Sequence, residues 1–361
     1  MDCGHDCTYS LDCALKSGFC RTTNRVDCRK TNSNLEIEDS NMKWRQRLDT
    51  SFHNYKVMVR TLALFDGISC GRVALERLNI PITEYYTSEI DKYAIAISDY
   101  HYPDNIKLGD INDWESWNID FSKIDLIMAG FPCQSWSANG HLKGIEDSRG
   151  QLVYPMLKIL EKAKRENPNV KFLFENVRMK EQFREYLTNL IGVEPILINS
   201  SLVSAQNRDR LYWTNIPKVS QPQDLKLCMN DILEQDRVLE SLYYTVGADY
   251  TGKTTGHVAD LHININQSEK RVYSSDYKCP TLTTMQGGHR QPKVLIGDVQ
   301  GDHIMRRLTP LECERLQTLE DNYTQFGVMN GKTVKMSNAQ RYKTVGNGWT
   351  VDVISHILMN I

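Results

Sequence analysis

A cysteine that could act as a nucleophile stands at residue 133, in the stretch GFPCQSWS that directly follows the apolar run IDLIMA. Free cysteine is among the most buried residue types, so a lone Cys133 behind a strand would usually be inert packing. The following stretch, SWSANGHLKGIEDSRG, is polar and contains glycine, which is typical of an active-site loop. A second apolar strand ends in FLFENV with Glu175. A thiolate beside a carboxylic acid suits addition of sulfur to an electron-poor ring that the acid protonates, which points to a pyrimidine.

Two further acids and a glycine turn outline a second site. In FDGISCG, Gly67 and Gly71 would let the backbone approach a ligand at a helix N-terminus, although a plain tight turn explains them equally well. Glu89 closes the next strand, where an acid can accept hydrogen bonds from ribose hydroxyls, and Asp110 could accept from an adenine amino group. Singly, such acids are more often helix caps or solvated charges. Together they predict a nucleoside pocket without a phosphate clamp, which suits S-adenosylmethionine better than ATP, and the turn lacks the G-x-G-x-x-G pattern of dinucleotide sites.

The segments that carry these residues alternate between strand and helix. Strands are predicted at RTLALF, EYYTSEI, KIDLIMAGF and VKFLFENV, and a short edge strand at IKLGDI. Helices are predicted at RVALERLNI, DKYAIAISDYHY and YPMLKILEKAKREN. This order predicts an α/β fold with a doubly wound, mainly parallel, Rossmann-like sheet. Ligands of such sheets bind at the carboxyl ends of the strands, where the polar residues above are expected.

Composition restricts the class of protein. The chain has 361 residues, of which 40% are hydrophobic and 24% charged, so we expect globular domains with a substantial core. It has no apolar stretch long enough for a membrane span and no signal-peptide core at its start, so the default location is intracellular. The net charge of -2 means that any nucleic-acid surface must be a local basic patch.

Half of the ten cysteines crowd the first thirty residues, with His5 among them. A zinc site is one reading, and reduced thiols on a flexible extension are the other. The spacings match no paired Cys-x-x-Cys knuckle, which favours the thiols, and we predict no metal.

The order of the motifs resembles that of the cytosine-5 DNA methyltransferases. LFDGISCG resembles the methionine-binding turn of this family, YYTSEID and GDI its ribose and adenine motifs, and GFPCQS its nucleophile loop. The later motifs are matched by EDSRGQL, ENV, QNRDRLYW, RRLTPLECERLQ and VGNGWTVDVI. The resemblance covers residues 60–216 and 305–361 and is to the bacterial or phage type, with the FDGI form of the animal de novo enzymes. Ser69 stands where the family usually has glycine, and Gly348 and Trp349 stand where small and aliphatic residues are commoner.

The resemblance implies a mechanism on double-stranded DNA. The thiolate of Cys133 would add to C6 of a flipped-out cytosine while Glu175 meets N3, so that C5 accepts the methyl group of S-adenosyl-L-methionine. Arg210 would hold the cytosine O2, with Arg208 in support, although such a charge run is otherwise usually a solvated surface. Closure of the loop after Cys133 would hold the base out of the helix. The residues expected to bind the cofactor are Phe65, Asp66, Gly67, Ile68, Ser69, Gly71, Glu89, Ile90, Asp110, Ile111, Pro132, Asn347 and Gly348.

The family also implies a division into domains. We expect a cysteine-rich extension (1–59), a catalytic and cofactor-binding domain (60–216), a smaller β-rich target-recognition domain (217–304) and a C-terminal return to the catalytic domain (305–361). In the third, CPTLTTMQGGHRQPKVLI has a β-rich, glycine-turn composition; a solvated hairpin is the alternative reading. The residues expected to contact DNA are Gln134, Ser135, Ser137, Arg149, Thr283, His289, Arg290 and Lys293.

The sequence is therefore compatible with three hypotheses about function. The first is a monomeric DNA cytosine-5 methyltransferase in the cytoplasm of a bacterium or a phage-infected host, with a cognate restriction endonuclease as partner. The second is a tRNA cytosine-5 methyltransferase of the same fold. The third is an inactive DNA-binding regulatory homologue, against which the presence of Cys133, Glu175 and Arg210 argues.

Overall fold

A computed structural model describes residues 58–132, 150–234, 238–254, 256–286, 288–297 and 303–361. The predicted nucleophile Cys133 lies outside the described residues, as does most of the predicted extension 1–59 with its cysteines. Four of the residues expected to contact DNA also lie outside them, namely Gln134, Ser135, Ser137 and Arg149.

The main sheet has seven strands in the order β3-β2-β1-β4-β5-β7-β6. The strands are β1 (Val59–Leu64), β2 (Ile82–Ser88), β3 (Ile106–Lys107), β4 (Leu126–Gly130), β5 (Lys171–Val177), β6 (Ile196–Asn199) and β7 (Asp209–Thr214). Pairings among β1 to β5 are parallel, whereas β7 runs antiparallel to both β5 and β6. The prediction of a doubly wound, mainly parallel sheet is confirmed, and each strand predicted from the sequence is present.

Helices cover both faces of this sheet because its central strands are apolar on both sides. Leu62 and Leu64 belong to one core cluster while Ala63, between them, belongs to the other. The first cluster is completed by α3 (Val153–Glu166) and α4 (Glu181–Ile191), and the second by α1 (Cys70–Arg77), α2 (Lys92–His101) and α8 (Val351–Leu358). The three helices predicted from helical spacing are thus α1, α2 and α3.

A second, smaller sheet has the strand order β12-β11-β10-β9-β8. Its strands are β8 (Ala248–Tyr250), β9 (His257–Leu261), β10 (Arg271–Ser274), β11 (Lys293–Gly297) and β12 (His303–Arg307), with the one-turn helix α5 (Gln267–Lys270) before β10. Its own small core contains Val258, Leu261, Val272 and Leu295. This is the β-rich part that the sequence predicts, and β12 runs through the expected boundary at residue 304.

The C-terminal part begins with α6 (Pro310–Leu316), which is fixed at its start by a capping box between Thr309 and Glu312. A hairpin of β13 (Phe326–Met329) and β14 (Lys332–Lys335) follows, then α7 (Asn338–Asn347) and α8. α8 packs against α1, so the end of the chain completes the main sheet's helical layer. Among the described residues, no helix is long and apolar enough to cross a membrane.

Candidate functional site

The strand register brings the predicted site residues to one edge of the main sheet. Leu64, the last residue of β1, pairs with Ser88 of β2 and with Ala129 of β4. Gly130, the last residue of β4, pairs with Glu175 of β5. The segments that follow these positions therefore leave the sheet side by side. We call this edge, at which β1, β2, β4 and β5 end, the carboxyl edge.

The turn after β1 has an unusual backbone. Phe65, Gly67 and Ser69 all have left-handed conformations, with φ of 54°, 59° and 59°. For a residue with a side chain this conformation costs roughly 1–2 kcal/mol, which explains why glycine is usual at the position of Ser69. Here the Ser69 hydroxyl donates to Asp66 Oδ2 at 2.6 Å and so holds the turn. The serine side chain, which glycine lacks, thus adds a hydrogen bond that holds the turn.

Glu89 ties that turn to the end of β2. Its Oε2 accepts from the backbone N–H of Gly67 at 2.8 Å, and its Oε1 accepts from the N–H groups of Ile90 and Asp91, each at 2.8 Å. Two carboxylate oxygens can accept about four hydrogen bonds, so Glu89 keeps capacity for one further donor such as a hydroxyl. Ile90 is 70% exposed next to it.

A cavity of about 220 Å³ opens beside Glu89 and is lined by Gly67, Thr87 and Gly109. Its cation, Lys107, pairs with Asp99 at 2.7 Å. An acid and backbone groups, with the ammonium already neutralised, suit a nucleoside better than a phosphate. This part of the site therefore fits an adenosine-containing cofactor.

Asp66 lies beneath the turn and is partly buried. Besides Ser69, the hydroxyls of Tyr85 and Thr87 donate to its carboxylate at 2.8 Å and 3.0 Å. Burial raises the pKa of Asp66 to about 6, although the three hydroxyl donors oppose this shift. Ile68 and Gly71 are buried on the same turn, and a Cβ on Gly71 would lie 2.6 Å from Met128 Cε. Asp66, Ile68 and Gly71 thus support the turn from inside.

Asp110 follows β3 and caps the short 3-10 helix Ile111–Ser116. Its Oδ1 accepts from the backbone and side-chain N–H groups of Asn112, both at 2.9 Å. The preceding Gly109 is held by the Ser88 hydroxyl, which donates to its carbonyl at 2.7 Å. Ile111 is buried. Asp110 is therefore a helix cap at the carboxyl edge, next to the glycine that lines the cavity.

Glu175 is buried at the end of β5 and held from two sides. Arg210 Nε lies 2.7 Å from Oε1, and Trp349 Nε1 donates to Oε2 at 3.0 Å. Arg210 reaches this place because β7 is antiparallel and pairs Arg210 with Val177 of β5. Glu175 and Arg210 are predicted from the sequence. Trp349 is recognisable there only as a departure from the family pattern.

Asn176 was missed from the sequence. Its Nδ2 donates to the carbonyl of Phe131 at 3.1 Å, and its Oδ1 accepts from the backbone N–H of Val177 at 2.8 Å. It thereby holds the backbone directly before Pro132, the last described residue ahead of Cys133. The sequence signal that could have identified Asn176 is its place directly after the candidate acid Glu175 at the end of an apolar strand.

Whereas Arg210 binds the Glu175 carboxylate, Arg208 is hydrogen-bonded to backbone carbonyls. Its guanidinium donates to the carbonyls of Leu282 at 3.0 Å, Gly346 at 3.3 Å and Gly348 at 3.0 Å. These carbonyls belong to the predicted recognition segment and to the end of α7. Arg208 is 4% exposed, so its described contacts tie these segments together. Asn347 is exposed at the last turn of α7, and Gly348 is its C-cap.

The described residues expected to contact DNA are placed differently from one another. Thr283 and His289 are exposed. Arg290 is half exposed and pairs with Glu269 at 3.2 Å. Lys293 is 2% exposed, and its ammonium donates to the carbonyls of His289 at 2.6 Å and Gln291 at 3.1 Å. Lys293 therefore holds the turn before β11 and does not lie on the surface, and burial lowers its pKa to about 8.

The fold defines a class of α/β protein, and the cavity at its carboxyl edge fits a nucleoside. Solved structures support the fold. The methyltransferase EhMeth of Entamoeba histolytica superposes with a TM-score of 0.62 at 17% identity, covering 84% of this chain and 98% of that one. The Dnmt2 methyltransferase of S. pombe gives 0.58 at 16% identity, covering 84% and 97%.

The sequence comparisons narrow this class to one family. The model of the C-5 cytosine-specific DNA methylases matches residues 59–361, and the chain belongs to this family. Type II methyltransferase M.HhaI of Haemophilus parahaemolyticus is 27% identical over 332 residues, which cover 84% of this chain and 94% of that protein. Orphan methyltransferase M.SPBetaI of Bacillus phage SPbeta is 24% identical over 437 residues, which cover 84% and 97%.

Membership of the family establishes the general chemistry. Methyltransferases of this family transfer a methyl group from S-adenosyl-L-methionine to C5 of cytosine, and the family implies DNA as the substrate.

Proposed function

We propose that the chain methylates C5 of a flipped-out cytosine in double-stranded DNA through a covalent adduct between Cys133 and C6. The observation that carries this proposal is the placement of Glu175. Its carboxylate is buried at the carboxyl edge and bound by Arg210. The paired strand β4 leads directly into Pro132 and Cys133. Nucleophile and acid would then reach the same base, the thiolate above C6 and the carboxyl group at N3 on the ring's edge.

Each residue has a separate task in this proposal. Cytosine C5 is a poor nucleophile, and addition of the Cys133 sulfur to C6 gives C5 enamine character. Glu175 meets N3 and stabilises the adduct by sharing or donating a proton there. Arg210 binds O2, while Arg208 holds the segments around the site through backbone carbonyls. Loss of the C5 proton and of the sulfur restores the aromatic ring.

The cofactor would occupy the cavity beside Glu89. The left-handed turn from Phe65 to Ser69 and the spare acceptor capacity of Glu89 suit a nucleoside that carries an amino acid. Ile90 is exposed where a ring could stack, and Asp110 stands near the adenine side. When bound, S-adenosyl-L-methionine supplies the electrophilic methyl group that C5 accepts.

The target must leave the duplex because stacked neighbours cover both faces of its ring. Flipping a paired base costs roughly a few kcal/mol, which contacts with Arg210 and Glu175 would offset. Thr283, His289 and Arg290 are exposed and are proposed to contact the DNA around the target.

A transfer assay tests the proposal. Labelled S-adenosyl-L-methionine is offered with duplex DNA and, separately, with tRNA, and we expect label in DNA. Cys133→Ser should abolish transfer and leave cofactor binding near the wild-type level. Glu175→Gln should lose most of the activity.

Three results would contradict the proposal. Transfer to tRNA alone would favour the tRNA enzyme, and no transfer to either would favour the inactive regulatory homologue. A Cys133→Ser protein that still methylates would show that the nucleophile is another residue. As an independent readout, 5-fluorocytosine at the target should trap a covalent complex with the wild type and none with Cys133→Ser.

The biological setting is a separate proposal. Two relatives are described as a type II methyltransferase and as an orphan methyltransferase of a phage, and these names support a role in bacterial or phage DNA modification. We propose a monomer that acts in the cytoplasm, with a restriction endonuclease of the same specificity as partner. Bisulfite sequencing of DNA from expressing cells would identify the methylated sequence.

A further inference from the structure

The indole of Trp349 occupies a place that two other residues make available. Its Nε1 donates to Glu175 Oε2 at 3.0 Å. A Cβ on Gly130 would lie 2.7 Å from the same nitrogen, so only a glycine at the end of β4 leaves room for the ring. Since Gly130 pairs with Glu175 across the sheet, the indole lies directly over the ends of β4 and β5.

The two oxygens of Glu175 are bound by different donors. Arg210 holds Oε1 at 2.7 Å and Trp349 holds Oε2 at 3.0 Å. One donor would leave the carboxyl group free to turn about its last bond, whereas donors on both oxygens fix its plane. Hydrogen bonds to a charged group are the stronger ones, so each donor contributes to the orientation.

Trp349 also touches the cofactor side of the site. Its backbone is hydrogen-bonded to the thiol of Cys70, the first residue of α1. A Cβ on the preceding Gly348 would lie 3.3 Å from the same sulfur. Cys70 directly follows Ser69 of the left-handed turn. One residue therefore connects the turn beneath the cofactor cavity to the acid of the base site.

We propose that Trp349 is a positioning residue, which orients the Glu175 carboxyl for the target base and fixes it relative to the cofactor turn. The inference rests on the proposed function of Glu175. In this proposal the N–H group of the indole, rather than its ring, orients the Glu175 carboxyl group. Removal of this donor should reduce turnover, since Glu175 would have to be oriented anew in each cycle.

Trp349→Phe tests this because it keeps an aromatic ring over Gly130 and removes only the N–H donor. We expect kcat on a methylatable duplex to fall about ten- to hundredfold, the loss typical of one hydrogen bond to a charged group. The KM for DNA and the Kd for S-adenosyl-L-methionine, measured by calorimetry without DNA, should stay close to wild-type values.

Trp213→Phe is the matched control. Trp213 is fully buried and donates its N–H to Thr188 Oγ1 at 3.0 Å rather than to Glu175. Its loss should lower the melting temperature without lowering kcat. If Trp349→Phe keeps wild-type kcat, the inference is overturned while the proposed function stands.

A double variant asks whether Trp349 acts through Glu175. The rate of covalent trapping by 5-fluorocytosine in Glu175→Gln should not fall further when Trp349→Phe is added, because the carboxylate that it orients is gone. Independent, multiplying losses would overturn the inference. A wild-type chain that methylates no DNA would instead remove the proposed function and this inference with it.

Discussion

Burial changes the acid chemistry of single residues beneath the cofactor turn. Asp66 carries a carboxyl group inside the protein with three hydroxyl donors around it. These donors favour the charged form, but desolvation is the larger effect and raises the pKa to about 6. The turn of Phe65 to Gly71 therefore rests on a group that changes charge near neutral pH.

This shift predicts a pH dependence of stability. A raised carboxyl pKa in the folded state favours folding fully below the ordinary value of 3.8, and this contribution is lost as the pH rises through about 6. Asp66→Asn should remove that loss, which amounts to about 2–3 kcal/mol. Urea unfolding of both proteins between pH 4.5 and 7.5 measures it. Asp113→Asn, at an exposed acid, serves as the control; parallel pH curves for Asp66→Asn and wild type would contradict the prediction.

Residue types predicted which candidate site residues meet at the carboxyl edge better than they predicted the residues that support them. Glu175 and Arg210 are recognisable because their motifs lie at strand ends. Asn176, and the contact of Trp349 with Glu175, depend on which side chains meet after folding, which no local pattern specifies. Lys293 is the reverse case, a predicted site residue that the structure buries. A lysine in a polar stretch is expected on the surface, but Lys293 is only 2% exposed.

At the scale of elements, the end of α7 meets the segment after Cys279 without space between them. A Cβ on Gly346 would lie 1.8 Å from the carbonyl oxygen of Thr283. Arg208 donates to carbonyls on both sides of this contact, at Leu282 and at Gly346. A glycine in a helix interior is usually unfavourable, so its presence here reflects the close approach of two backbones.

Gly346→Ala should therefore be strongly destabilising, although alanine is the better helix former. We expect a loss of about 1–3 kcal/mol, together with a raised KM for DNA, because Thr283 would be pushed out of place. Chemical denaturation and steady-state kinetics measure both effects. Gly288→Ala, where a Cβ would meet nothing within 4 Å, is the control for stability. Equal stability of Gly346→Ala and wild type would show that the two backbones separate easily.

Element order followed from the sequence because buried strands and amphipathic helices leave distinct patterns. The parallel strands β1, β4 and β5 are largely apolar runs that end in polar turns, and their helices have regular spacing. The antiparallel direction of β7 could not be read in this way. It depends on a pairing between Arg210 and Val177, which are distant in the sequence.

At the scale of the whole molecule, a buried ion pair joins the smaller sheet to the C-terminal part. Arg306 of β12 donates to Glu312 of α6 at 2.6 Å and 2.8 Å, and both side chains are almost fully buried. Glu312 also accepts from the backbone N–H groups of Thr309 and Glu234 at 2.8 Å and 2.9 Å. One carboxylate thus fixes the exit of β12, the start of α6 and the segment before residue 235.

Glu312→Gln should destabilise the protein by about 3–5 kcal/mol, because it leaves the Arg306 charge buried without compensation. Glu181→Gln breaks an exposed pair with Arg184 on α4 and should cost at most about 0.5 kcal/mol. Urea unfolding of the three proteins compares them. Similar losses in the two variants would mean that Glu312 is less important for the junction than its burial indicates.

The recognition sequence lies beyond what the sequence of the chain predicts. Base choice depends on how loops present side chains to a groove. Thr283, His289 and Arg290 are all exposed but have different partners. The family was recognisable from the sequence because its motifs depend on residue identity at strand ends. Specificity depends on loop geometry, which residue identity alone does not determine.

The direction of β7 has a consequence for engineering. Arg210 enters at the carboxyl edge near the start of β7, and the strand then runs to Thr214 at the opposite edge. Arg210 therefore lies at the carboxyl edge before the chain continues toward the smaller sheet. A foreign segment grafted after Ile216 would begin on the far side from Glu175, which makes this junction a suitable splice point for chimaeric enzymes with exchanged specificity.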